Sequence, residues 1–127
     1  MTTNPWDNRG FNGDWIALKG GTVDVCEPAT GAVIATVGLA NPQDVAQAAN
    51  AAADAQKEWA ATSFLARAEV FRRAAEAVSA RQEELAGWIV RETGAIMPKA
   101  MFEVSSVIKH LHEAAAMCTQ PRGLLLP

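Results

Sequence analysis

Residues 22–59 read TVDVCEPATGAVIATVGLANPQDVAQAANAAADAQKEW, and their apolar spacing changes from a strand period to a helix period at Asn41-Pro42. Before that point, Thr22–Cys26 and Ala32–Val37 are short runs rich in β-branched residues. Between them lies Pro28-Ala29-Thr30-Gly31, where Pro presets φ and Gly accepts a positive φ. The two runs are predicted to pair as a hairpin. Beyond that point, Asn41 is a helix cap, Pro42 suits the first helical position, and Asp44 lies near the positive end of the helix dipole. Val45, Ala48, Ala52, Ala55 and Trp59 then recur at three- and four-residue steps along one face.

Upstream, the two-residue pattern reaches back to Asp14, with Trp15 and Ala17 in a short strand broken at Gly20-Gly21. The hairpin region thus spans about residues 14–38. Two strands alone are marginal in water, so this hairpin must lie on something else. The first twelve residues are polar with Pro and Gly, and are expected to form an irregular or frayed arm, pinned at most by Trp6 and Phe11. Downstream, a second helix carries Leu65, Ala68, Phe71, Ala75 and Val78. A third, from about Arg81, carries Leu85, Trp88 and Ile89 and stops at Gly94. No strong breaker separates the second from the third, which leaves one bent helix as an alternative. Pro98 starts a fourth, with Met101, Val104, Ile108, Leu111 and Ala115 as its seam, ended by Pro121 and Gly123. The expected fold is α+β but mainly α: an N-terminal β-hairpin, then about four amphipathic helices over about residues 42–118. Neither a repeat nor a linker divides it, so residues 1–127 read as a single piece.

Composition narrows the function classes. Half of the 127 residues are apolar, but many of these are alanines, and Tyr is absent. The core of an isolated chain is therefore modest. A formal net charge of -3 argues against a nucleic-acid surface. No apolar run approaches the ~20 residues that span a bilayer, and Met1 to Gly10 lacks the apolar segment of a signal peptide. Cys26 and Cys118 lie far apart in no disulfide framework, so the expected compartment is the reducing cytoplasm.

The residues that carry chemistry elsewhere do not assemble here. His110 and His112 are two apart on a helix, so they point in different directions and cannot share a metal as an i, i+4 pair can. Cys26 stands in a strand beside Glu27, and Cys118 at a helix C-terminus; both settings oppose an anionic nucleophile. Gly10, Gly13, Gly20, Gly21 and Gly31 lack the G-x-G-x-x-G spacing of a phosphate loop before a helix. Glu83-Glu84 and Arg72-Arg73 read as surface pairs, with Glu69 set to bridge Arg73 at i, i+4. No catalytic, cofactor-binding or metal-ligating residue is assigned.

The order of the motifs nevertheless resembles the N-terminal part of the aldehyde dehydrogenase superfamily, especially its bacterial benzaldehyde and vanillin dehydrogenases. The resemblance rests on the P-A-T-G turn at Pro28–Gly31, Trp59 in QKEWAAT, and R-A-x-x-x-R-R-A-A at Arg67–Ala75. It continues through Glu92-Thr93-Gly94, K-A-x-x-E-V at Lys99–Val104, and the G-x-x-x-P run in RGLLLP from Arg122. It covers nearly everything from Asp14 to Pro127; each motif alone is unspecific, and their order and spacing carry the weight. Two positions depart. Glu27 stands where the family usually has Asn, which removes an Asx-type turn acceptor, and Ala95 stands where many members have Lys, which fits the aromatic-aldehyde branch.

The resemblance implies an enzyme in which a Cys thiolate attacks an aldehyde, hydride passes to NAD or NADP, and a Glu-activated water releases the acid. An Asn side chain and a backbone N–H would steady the oxyanion. The family places all of these groups, and its oligomerising strands, beyond this segment. The chain alone is expected to be inactive and to bind no cofactor, with the small-molecule aldehyde as the complete enzyme's partner. In the family, the helix matching Pro98–Cys118 borders the substrate tunnel. Phe102, Ser106 and His110 recur every four residues off the apolar seam and are the tunnel candidates, with ordinary packing or exposure as the alternative. The competing reading is a free-standing helical interaction module or self-associating fragment, joined through the Val45–Trp59 or Phe71–Ile89 stripes.

Overall fold

A computed structural model describes residues 4–120 and Gly123. They fall into two compact units, the first ending at Ala61 and the second beginning at Thr62. In the first unit, β1 (Gly10–Phe11) pairs antiparallel with β2 (Trp15–Ile16), and β3 (Thr22–Cys26) with β4 (Val33–Gly38); α1 (Pro42–Ala61) follows. The β3–β4 ladder sets Thr22 opposite Gly38 and Asp24 opposite Thr36, with an irregularity at Val25/Cys26. This is the predicted hairpin, one residue offset in its second strand.

The Pro-Ala-Thr-Gly turn closes as its chemistry requires. Gly31 has φ 73° and donates its N–H to the Glu27 carbonyl at 2.8 Å. Glu27 is one methylene too long for an Asx turn, and Thr30 braces the turn from the other side. Its hydroxyl donates to the Glu27 carboxylate at 2.7 Å and accepts from Ala32 N–H at 3.2 Å.

The expectation of a frayed N-terminal arm is corrected over its described part. Asn8 N–H donates to the Thr36 carbonyl at 2.8 Å, and Gly38 N–H to the Arg9 carbonyl at 3.0 Å, fastening the arm to β4. Trp15 is the aromatic pin: Phe11 meets it edge-on at 5.2 Å and Trp6 lies 6.4 Å away. Such pairing depends on residues remote in the chain, which local composition does not reveal.

α1 opens with a reciprocal capping box. Asn41 Oδ1 accepts from Asp44 N–H at 2.9 Å, and Asp44 Oδ2 accepts from Asn41 N–H at 3.0 Å. The same Asp44 oxygen accepts from Lys19 N–H at 2.8 Å, tying the turn before β3 to the helix. The Val45–Trp59 stripe does not become a core face: Val45, Ala52, Ala55 and Trp59 are exposed and Ala48 half-buried.

The second unit holds α2 (Phe64–Ala80), α3 (Gln82–Thr93) and α4 (Met97–Met117). Ser63 caps α2, its Oγ accepting from Ala66 N–H at 3.2 Å. The bent-helix alternative fails: Arg81 leaves helical geometry at φ -121°, ψ 20°. Its guanidinium then grips Glu84 through Nε and one terminal nitrogen, at 2.8 and 2.6 Å, at the start of α3. Gly94 ends α3 in the left-handed conformation at φ 71°, its N–H on the Val90 carbonyl at 3.0 Å. Glu69 pairs with Arg72 at 3.4 Å and not with Arg73 as expected, an i, i+3 choice in place of i, i+4. α4 ends at Met117 with Cys118 as its cap; Pro121, its predicted terminator, lies outside the described residues.

α4 packs on both α2 and α3. Among the described residues, the buried apolar ones are Ala68, Ala75, Ala86, Ala100, Val104 and Ala115, all in this unit. Alanines let the helix backbones approach closely but bury little surface, so this core is thin. Around Ala86, Ala100 and Val104 lie the partly buried Val78, Leu85, Ile89, Val90 and Met101. The predicted α4 seam is correct, whereas Leu65 of the α2 stripe is exposed.

Candidate functional site

Phe102, Ser106 and His110 lie on α4 away from its buried seam of Ala100, Val104 and Ala115. Phe102 is 67 % exposed, Ser106 half-buried and His110 exposed. The Ser106 hydroxyl donates to the Phe102 carbonyl at 2.8 Å, and Ser105 Oγ donates to the same oxygen at 2.9 Å. Both hydroxyls thus serve the backbone of their own helix, a common fate of Ser within helices. What the strip offers is one apolar ring, an engaged hydroxyl and an exposed imidazole. It has no nucleophile paired with a base, so it can shape or line a site but cannot activate a nucleophile by taking its proton.

The sequence pattern did not single out a cleft that three helices form. Val78 of α2, Leu85, Trp88, Ile89, Glu92 and Thr93 of α3, and Val104 and Val107 of α4 line a space of about 410 Å³. It is almost wholly apolar, and Thr93 Oγ1 is spent on the Ile89 carbonyl at 2.7 Å. Arg91 stacks over the Trp88 ring at 5.4 Å. The signal for this cleft was the apolar face of each helix; which faces converge depends on the α2–α4 and α3–α4 packing.

The remaining candidates stay apart. Cys26 is exposed on β3. Cys118 is partly buried at the end of α4, with its thiol donating to the Ala114 carbonyl at 3.4 Å. His110 and His112 are both exposed. No group of three or more His, Cys, Asp or Glu side chains placed to hold a metal occurs among the described residues. None of their helices is long and apolar enough to cross a membrane.

Asp44 is the one charged residue buried among those described, at 7 % exposure. The N–H of Asn41 holds its carboxyl below the usual range; burial opposes this, and the Lys19 N–H and ammonium add to the lowering. Its Oδ2 is engaged by two backbone N–H groups of the chain itself, so it fastens the fold. A dinucleotide cofactor finds no cradle here either. Gly13, Gly21 and Gly31 take positive φ in the strand region and Gly94 at a helix end. Gly94 alone of these stands just before a helix, α4, but it follows a helix and not a strand and has no second glycine beside it. The strand–Gly-rich loop–helix arrangement that presents N–H groups to a pyrophosphate is therefore not formed. The described residues do not fit that cofactor, and no chemical step is derived through it.

Solved structures of aldehyde dehydrogenases contain a segment similar to this chain. A solved NAD-dependent benzaldehyde dehydrogenase from Corynebacterium glutamicum superposes on this chain with a TM-score of 0.88 at 28% identity, covering 100% of this chain and 28% of that one. The Aldehyde dehydrogenase family model matches residues 15–127, and the chain belongs to that family. Curated relatives include the benzaldehyde dehydrogenase [NAD(+)] of Pseudomonas putida, 42% identical over 96% of this chain. The vanillin dehydrogenase of an Amycolatopsis species is 46% identical over the same share. The chain spans about a quarter of the length of each, 25% in both cases.

Proposed function

We propose that this chain is the N-terminal part of an NAD(P)-dependent aldehyde dehydrogenase that oxidises an aromatic aldehyde to its acid, and that the chain alone is inactive. The observation that carries this reading is the match of 96% of the chain to a quarter of two relatives named for benzaldehyde and vanillin. The absence of a paired nucleophile and base among the described residues supports the inactivity. NAD or NADP, when bound to the complete enzyme, accepts the hydride. The cytoplasm is the proposed setting. The direct test mixes purified 127-residue protein with benzaldehyde and NAD+ and follows reduced nicotinamide, with calorimetric titration of NAD+ alone. Turnover or saturable NAD+ binding by this chain would overturn the proposal.

Phe102, Ser106 and His110 are proposed to form part of the tunnel wall by which the aldehyde reaches the catalytic centre. The exposed ring of Phe102 supports this, since an aromatic pair contributes about 0.5–1.5 kcal/mol beyond area burial. In the complete enzyme, Phe102→Ala should lower kcat/KM for benzaldehyde by roughly 2- to 12-fold while sparing a small aliphatic aldehyde. Equal losses on both substrates would remove Phe102 from the tunnel.

A second reading concerns the isolated chain. Val45, Leu65, Phe102 and Val107 are exposed, and the α2–α3–α4 cleft is open. Association of copies through these surfaces is the proposed way of covering them. The Phe71–Ile89 stripe contributes less, since both of these residues are half-buried. Sedimentation of the purified chain tests this: a defined dimer supports association, and a monomer over the whole accessible concentration range removes it.

A further inference from the structure

We draw no further inference here: the strongest candidate, the apolar cleft lined by Val78, Leu85, Trp88, Ile89 and Val107 between α2, α3 and α4, is an unpartnered face, and nothing in the structure shows what covers it.

Discussion

Val104 and Val107 occupy one helix three residues apart, yet replacing each by Ala should have different consequences. Val104 is 4 % exposed and packs with Ala86 and Ala100, whereas Val107 is 47 % exposed at the cleft rim. Truncating Val104 removes two buried methyl groups, about 1.6 kcal/mol of transfer free energy at ~0.8 each. A void of the order of 50 Å³ adds about 1 kcal/mol at ~24 cal/mol per Å³ if the helices do not close over it. Ala is the better helix former by roughly 0.5 kcal/mol, which offsets part of the loss. The net cost of Val104→Ala is therefore about 2 kcal/mol. For Val107→Ala, about half the transfer term and no void remain, and the helix preference nearly cancels them. Urea titration followed by far-ultraviolet circular dichroism measures both on the 127-residue protein. With a urea slope of about 1–3 kcal/mol per M, Val104→Ala should lower the midpoint by roughly 1 M and Val107→Ala by little. Equal shifts for the two variants would refute the placement of the core on the Val104 side of α4.

Two further perturbations probe the backbone and the capping box. Gly87 lies inside α3, and a Cβ built there meets nothing within 4 Å, so Gly87→Ala should raise stability by about 1 kcal/mol in the same titration; a loss would mean that this position is covered. Because the Asp44 carboxyl is held below its ordinary range, its stabilising contribution is fully present above the unfolded-state carboxylate pKa and is lost as pH falls through the lower folded value. Asp44→Asn should therefore be less stable at neutral pH and flatter in stability across that acidic window, as read from urea midpoints at several pH values. Parallel pH profiles for wild type and variant would show that the charge of Asp44 does not act in folding.

What the sequence made legible, and what it hid, follows the range of the interactions concerned. The β3–β4 turn, the Asn41 cap and the Gly94 stop are written within a few residues, so Pro28, Gly31, Asn41 and Gly94 each announced their conformations. The break at Arg81 has no such residue; what accompanies it is a bidentate grip on Glu84 three residues on, a pairing that an unbroken helix would also allow. The arm at Asn8–Arg9 was hidden because its partners, Thr36 and Gly38, are far along the chain. Helical periodicity located the α4 seam because α4 packs on two neighbours, but it overstated the Val45–Trp59 stripe of α1. An apolar stripe records which face a helix can bury, and not whether a partner is present to bury it. The same logic governs the candidate site. Order and spacing of motifs identify the family, since each turn, cap and seam residue must serve the same fold. The chemistry of that family needs a nucleophile, a base and a cofactor cradle brought together, and the described residues of this chain bring none of them together. The role proposed for Phe102, shaping a substrate path, needs the company of residues that perform the oxidation.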